Sequence, residues 1–434
     1  MPEMRRRLYG SARVLAAVAA GLLPLVCACD NEVKPAGGAQ AMENEGSRPT
    51  ILLAQAQFVE TTNEATGDVK TQPGDARLVI LRQFADGWKR EVLEDPESNV
   101  FHKAVFFTDP TKPDAGPGIL TIGANAAAVK VWRKTAGGWK ADTLWKTEFG
   151  GKQNRLRDVE VGDVTGDGKA DIVIATHDQG VVAVLRQTDA GWEASELDRK
   201  KKTFVHEVEL GDLDSDGVLE VYATPSRPNK FDGTPQPGEI VSYHYTKDGS
   251  FEHRTVEEFP LRHVKEILVT DIDGRGKPAL LAAVEAELAR RADAAPDADR
   301  TLIKRYRFED GQYVGDVVGT LPDTLCRFFN AGDVDGDGQA ELIASTHKAG
   351  IWLARPGPES WNVELIDKDS SGFEHATVLA DLDGDGAHEI YVAADDQREV
   401  RRYRWADGKW QCDTLSPIED AKITFGITAA MSDL

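Results

Sequence analysis

Signatures of catalysis are missing from this chain. It has no GxSxG nucleophile elbow, no HExxH, no CxxC and no glycine loop of the kind that cradles phosphate. Its nine histidines fall at no metal-ligand spacing. Cysteine is scarce, four residues in 434, so the fold is not a disulfide framework. Positive charge is in deficit. Against 73 acidic residues stand 51 basic ones, a formal net charge of −22, which repels phosphate backbones and excludes a nucleic-acid partner. No apolar run is long enough to span a bilayer comfortably, the candidate being residues 14–26.

That run is preceded by Arg5, Arg6 and Arg7, the charge order of a secretory signal. It ends in Val26-Cys27-Ala28-Cys29, which resembles the bacterial lipobox. The resemblance places the cut before Cys29, making residues 1–28 a signal peptide and Cys29 the lipidated N-terminus. Cys27 fits worse, with Val26 and Pro24 in the flanking places; the competing reading is an ordinary signal with two incidental cysteines. Asp30 after the cysteine implies inner-membrane retention in enteric bacteria, a rule that does not carry over to all bacteria. Residues 29–48, rich in Gly, Ala and Glu without an apolar period, read as a flexible tether. The expected location is the bacterial cell envelope, extracytoplasmic and lipid-anchored.

Acidic loops at a fixed spacing are what the chain does have. Residues 333–341 read DVDGDGQAE. Asp333, Asp335 and Asp337 hold the first, third and fifth places, Gly338 makes a sharp turn, and Glu341 stands ninth. A hard cation takes roughly six to eight oxygens, and alternate residues of a tight loop point inward to supply them. The seventh residue, Gln339, offers its backbone carbonyl. The apolar LIAS that follows is a strand, so the loop is a calcium loop between two β-strands and not an EF-hand. The pattern recurs with Asp163, Thr165, Asp167, Lys169 and Asp171. It recurs again with Asp212, Asp214, Asp216, Val218 and Glu220, and with Asp381, Asp383, Asp385, Ala387 and Glu389. Turn chemistry alone favours Asp and Gly but does not hold carboxylates at the same offsets four times. Four calcium ions are expected. A fifth copy keeps Asp271 and Asp273 but has Arg275 and Ala279 where acids belong; there the Arg275 guanidinium is expected in place of the metal.

A second marker has the same period. A turn followed by an aromatic occurs at Trp88, Trp139, Trp192, Phe251, Tyr313, Trp361 and Trp410, about 48 to 62 residues apart, the spacing of four-stranded propeller blades. One aromatic per hairpin is a core feature, not a stacking platform. Each unit reads strand A, acidic loop, strand B, variable loop, strand C, aromatic turn, strand D. The second unit's A–B loop holds only Asp109 and Asp114 and is expected to be metal-free. The first unit lacks strand A, while residues 423–430 are left over at the other end and resemble one. The expectation is an all-β, seven-bladed propeller over residues 49–434, its first blade closed by the C-terminal strand. Cys326 and Cys412 then lie too far apart to bridge.

The DxDxDG loops at Asp163, Asp212, Asp333 and Asp381, each followed by an aliphatic strand, resemble the FG-GAP or VCBS repeat family of β-propellers, which includes the heads of integrin α-subunits. The resemblance implies calcium in the A–B hairpins of the lower face and partners on the upper face. It implies no particular activity, since one propeller architecture hosts binding proteins, lectins and enzymes.

Six residues before each first Asp stands a basic group: Arg157, His206, Lys265, Arg327 and His375. Acids follow three of them (Asp158, Glu207, Glu266). Ringing the upper mouth of the channel, they form either an anion or saccharide site or a set of salt bridges between neighbouring innermost strands. Long B–C loops at 59–75, 225–238 and 285–300, the last Ala-rich and a candidate short helix, gather on that same face, where binding usually resides. Two function classes remain open. One is a monomeric, non-catalytic module binding a protein or glycan; the other is a carbohydrate-active enzyme of the lyase kind at the channel mouth. An open channel favours the enzyme, and one plugged by paired charges favours the binding module.

Overall fold

The computed structural model describes residues 46–434, apart from 63–68, 126, 151–153, 178, 190, 229–233, 288–294, 359 and 420–421. The expected signal peptide and Cys29 lie outside the described residues, as does the tether up to residue 45. The middle of the candidate short helix does too, and in the described remainder of that loop residues 296–299 form a turn.

Seven antiparallel four-stranded sheets stand in a ring. In chain order their innermost strands are Phe101–Thr108, Leu156–Gly162, Phe204–Gly211, Val264–Thr270, Cys326–Gly332 and Thr377–Ala380 for blades 2 to 7. Lys422–Ser432 completes blade 1, pairing with Arg48–Thr62 in the register Thr50↔Ala430 to Ala54↔Gly426. The C-terminal strand therefore closes the ring as expected. Cys326 begins an innermost strand, Cys412 sits on the outer strand Lys409–Pro417 of blade 7, and both are free thiols.

Burial along the strands follows from their place in the ring. Strands B such as Glu341–Thr346 and Glu389–Ala394 are buried at every residue, because neighbouring blades cover both faces. They read as short continuous apolar runs. Outermost strands such as Gly191–Arg199 alternate between half-buried and exposed. Seven apolar clusters fill the seven interfaces between blades, and each takes in one aromatic of the turn motif. Trp88 packs between blades 7 and 1, Trp139 between 1 and 2, Trp192 between 2 and 3, and Phe251 between 3 and 4. Tyr313, Trp361 and Trp410 close the series. Those aromatics begin an outer strand and wedge against the preceding blade, the core role expected of them.

One B–C connection is more ordered than a variable loop. Arg48–Thr62 runs beyond its sheet and pairs with Val69–Pro73 as a two-stranded ribbon, Phe58↔Pro73 to Thr62↔Val69. Among the described residues no helix is long and apolar enough to cross a membrane.

Candidate functional site

The A–B loops share one geometry. In the Asp333 loop, Oδ1 of Asp333 accepts the Gly336 N–H (2.7 Å) and Oδ2 the Gly338 N–H (2.8 Å). Gly338 sits at φ +84°, a conformation side chains other than glycine rarely adopt. Oδ1 of Asp337 takes the Gln339 N–H at 2.8 Å, and Oε2 of Glu341 takes the Val334 N–H at 3.1 Å. The first acid thus folds the turn, and the ninth ties its far end. Asp163, Asp212 and Asp381 repeat the first contact through Gly168, Gly217 and Gly386. Asp171, Glu220 and Glu389 repeat the second through Val164, Leu213 and Leu382.

Carboxylate oxygens converge to within 4.8 Å of one another in three loops: Asp212, Asp214, Asp216 and Glu220; Asp333, Asp335 and Glu341; and Asp381, Asp383 and Asp385. Each could hold a metal ion. The Asp163 loop forms no such group among the described residues, although the Thr165 hydroxyl turns inward, 3.4 Å from Asp163 and 3.5 Å from Asp171. Crowding leaves its mark on the ninth acids. Burial pushes Glu341 up to about 7, with Asp335 and Asp337 adding to the shift. Burial likewise lifts Asp171 to about 6, with Asp167 and Asp163 contributing.

Sequence reasoning missed a set of basic side chains reaching these loops from strand C. Arg355 places one guanidinium nitrogen 2.8 Å from Asp335 and another 2.5 Å from Glu341. His244 stands 3.5 Å from Asp214. At the degenerate fifth loop the same rule corrects the expectation for Arg275. That residue is exposed, and only its backbone N–H bonds Asp271 (2.9 Å). The guanidinium facing Asp273 belongs to Arg305, at 3.5 Å. Adjacency in sequence suggested Arg275; strand register delivers Arg305.

The second candidate region is the channel mouth. Arg157, Lys265 and Arg327 line one central space with His102, Lys103, Asp158, Glu207, Glu374 and Phe425. The two histidines of the predicted set do not line it. His375 is held by the Thr346 carbonyl (2.7 Å) and Ser370 (2.7 Å). His206 stacks edge-on to Phe204 and His177, and neither ring nitrogen has a hydrogen-bond partner among the described residues. Burial, followed by Lys265, Arg157 and Arg327, holds His206 well below the usual imidazole range, so it is neutral.

Ion pairs cross the space. Arg327 meets Glu285 at 2.9 Å and Glu374 at 3.1 Å, Lys265 meets Glu285 at 3.1 Å, and Arg157 meets Glu374 at 3.4 Å. Lys103 pairs with Asp158 at 2.9 Å and with Glu160. Asp158 and Glu266 also take the N–H groups of Val208 (2.9 Å) and Phe329 (2.7 Å), fastening one innermost strand to the next. The space between these groups leaves only about 20 Å³ in which water can move. That is room for one or two waters. Lys103 escaped notice because the second unit has no intact acidic loop to align on, yet it stands six residues before Asp109 as its counterparts do.

Ring, blades and acidic A–B hairpins define a seven-bladed β-propeller. Within it, residues 163–223 match the family described as FG-GAP-like repeat, so the chain carries an FG-GAP-like repeat. No curated protein matches the chain. Among solved structures it is similar to a protein from Lactobacillus plantarum, with 10% identity, a TM-score of 0.52, and 88% of this chain and 99% of that one covered. It is also similar to the periplasmic gluconolactonase of Pseudomonas aeruginosa, with 12% identity, a TM-score of 0.52, and 89% and 100% covered. Identities this low speak for the fold alone.

Proposed function

We propose that this propeller is a calcium-stabilised, non-catalytic binding module of the bacterial cell envelope, anchored through Cys29 and engaging a protein or glycan with its upper face. Calcium ions in the Asp163, Asp333 and Asp381 loops, and a divalent cation in the Asp212 loop, stiffen the A–B hairpins of the lower face. The chain acts as a monomer, and nucleic acid is excluded by its charge.

The plugged channel is the observation that carries this reading. Lys103, Lys265, Arg157 and Arg327 each face a carboxylate; although Nη2 of Arg327 has no hydrogen-bond partner among the described residues, a charge already neutralised by its neighbours gains little from a ligand. The space that remains admits waters and not a sugar ring. The second reading, an enzyme acting on a carbohydrate, draws on the gluconolactonase with the same fold.

A glycan array and an envelope-protein pull-down with the calcium-loaded chain, run beside a gluconolactone hydrolysis assay, separate the two. Capture of a defined glycan class or protein without turnover is the expected result. Lactone hydrolysis by the folded wild-type chain would overturn it.

A further inference from the structure

We propose that the blade 4 loop holds a first-row transition-metal dication of the zinc class, with the His244 imidazole as a ligand beside Asp214 and Glu220. This rests on the reading of the A–B loops as cation sites and departs from it in the ion chosen.

His244 and Arg355 occupy the same place in their blades. His244 is the residue after the Val221↔Tyr243 pair, opposite Glu220, and Arg355 follows Leu342↔Ala354, opposite Glu341. A guanidinium there has only donors and acts as a counter-ion. A neutral imidazole brings a lone pair, which suits zinc, copper or nickel far better than calcium. His244 is 7% exposed, and its Nδ1 points at the loop, 3.5 Å from Oδ2 of Asp214 and 3.8 Å from Oε1 of Glu220. Those separations are near the edge, about 3.4 Å, of a tetrahedron with bonds of about 2.0–2.1 Å.

The surroundings orient the ring from behind. Nε2 of His244 lies 3.0 Å from the Ser242 hydroxyl and 3.1 Å from that of Tyr313. Tyr313 continues to Tyr222 (3.3 Å), whose hydroxyl donates to Oε2 of Glu220 at 2.9 Å. One hydroxyl chain therefore positions both the imidazole and the carboxylate while leaving Nδ1 and Oε1 facing the loop. Metal-bound histidines are characteristically held this way through their second nitrogen. At the Asp333 loop the equivalent side chain, Arg355, offers no lone pair, so blade 4 differs from it in donor chemistry.

The full chain is stripped of metal and titrated with Ca²⁺, then with Co²⁺ or Zn²⁺ while calcium is held in excess, following calorimetry and the cobalt absorption bands that report nitrogen coordination. One transition ion bound in the wild type is the expected result, lost in His244→Gln and in His244→Arg, the latter installing the side chain of the Asp333 blade. Tyr313→Phe, which removes the outer hydroxyl, should weaken it by about 10–100-fold. Melting of each metal-free variant checks that the blade is intact. Cobalt binding unchanged in both His244 variants, or calcium binding at this loop with no transition ion taken up, overturns the proposal while the cation-loop reading stands. If neither calcium nor cobalt binds, that reading fails as well.

Discussion

At the third place of an A–B loop a carboxylate makes only a long hydrogen bond within the turn, Oδ1 of Asp335 taking the Asp337 N–H at 3.3 Å. The first acid folds the turn and the ninth ties it, and the first acid's hydrogen bond persists even in the degenerate loop, where Asp271 still takes the Gly276 N–H at 2.6 Å. Loop shape therefore rests chiefly on the first and ninth acids, and what the third acid mainly adds is charge. Asp335→Ala should remove one calcium from the titrated stoichiometry and lower the melting temperature only when calcium is present, because binding to the native state stabilises by mass action. Asp273→Ala should leave the stoichiometry unchanged, its carboxylate being opposed by Arg305. Loss of an ion from both variants would show that Arg305 does not exclude the metal. The acids themselves were legible because they lie within nine residues of one another. Arg355, His244 and Arg305 were not, since they reach the loops from strand C and their contact depends on register, which composition does not specify.

Closure of the ring was legible for a simple reason at the scale of the element: one strand was missing at the start and one was left over at the end. What fastens it was not. Thr424 on the closing strand gives its N–H and hydroxyl to the two carboxylate oxygens of Asp395 in blade 7, each at 2.8 Å, and its hydroxyl receives Gln55 of blade 1 at 3.0 Å. Deleting the chain from Lys422 onward removes strand and latch together and exposes a long sheet edge. The truncated protein should melt far lower and aggregate; unchanged melting would refute the closure. The latch also titrates. Burial pushes Asp395 up to about 7 against the two Thr424 bonds, with Asp396 and Glu374 adding to the rise. The folded state then holds the proton more tightly than the unfolded chain. The stabilisation is complete below the ordinary aspartate pKa of 3.8 and lost as pH rises through about 7. Asp395→Asn keeps the shape and removes the charge. Its melting temperature should gain on that of the parent as pH rises through this window, and parallel pH profiles for the two proteins would count against the assignment.

For the molecule as a whole, anchoring and ring stability are separate problems. Cys29→Ala should release or mislocalise the protein while its melting stays that of the parent, as read by membrane fractionation and calorimetry. Finding the mature wild-type chain unlipidated would rule the anchor out. The channel is different, because its charges couple blades that are not neighbours. Glu374, at the start of blade 7, binds Arg327 of blade 6 and Arg157 of blade 3, and Glu285 of blade 5 joins Arg327 to Lys265. Burial depresses Lys265 to about 8, with Arg327 adding to the fall in spite of Glu285, so this network sits close to the limit of the charge it can hold. Arg157 makes no other ion pair among the described residues, though it lies over the Phe425 ring of the closing strand. A buried cation stripped of its partner costs about 3–5 kcal/mol, and Arg157 and Arg327 would both be affected. Glu374→Gln should therefore destabilise the propeller by several kcal/mol in denaturant unfolding, with the loss partly recovered in Glu374→Gln/Arg157→Leu, which removes the stranded charge. A ligand site would behave otherwise: the single change would leave stability nearly intact and abolish capture of the partner on the upper face. The double-mutant cycle in stability, set beside the binding assay, decides whether these charges serve the ring or a ligand, and the distances within the channel favour the ring.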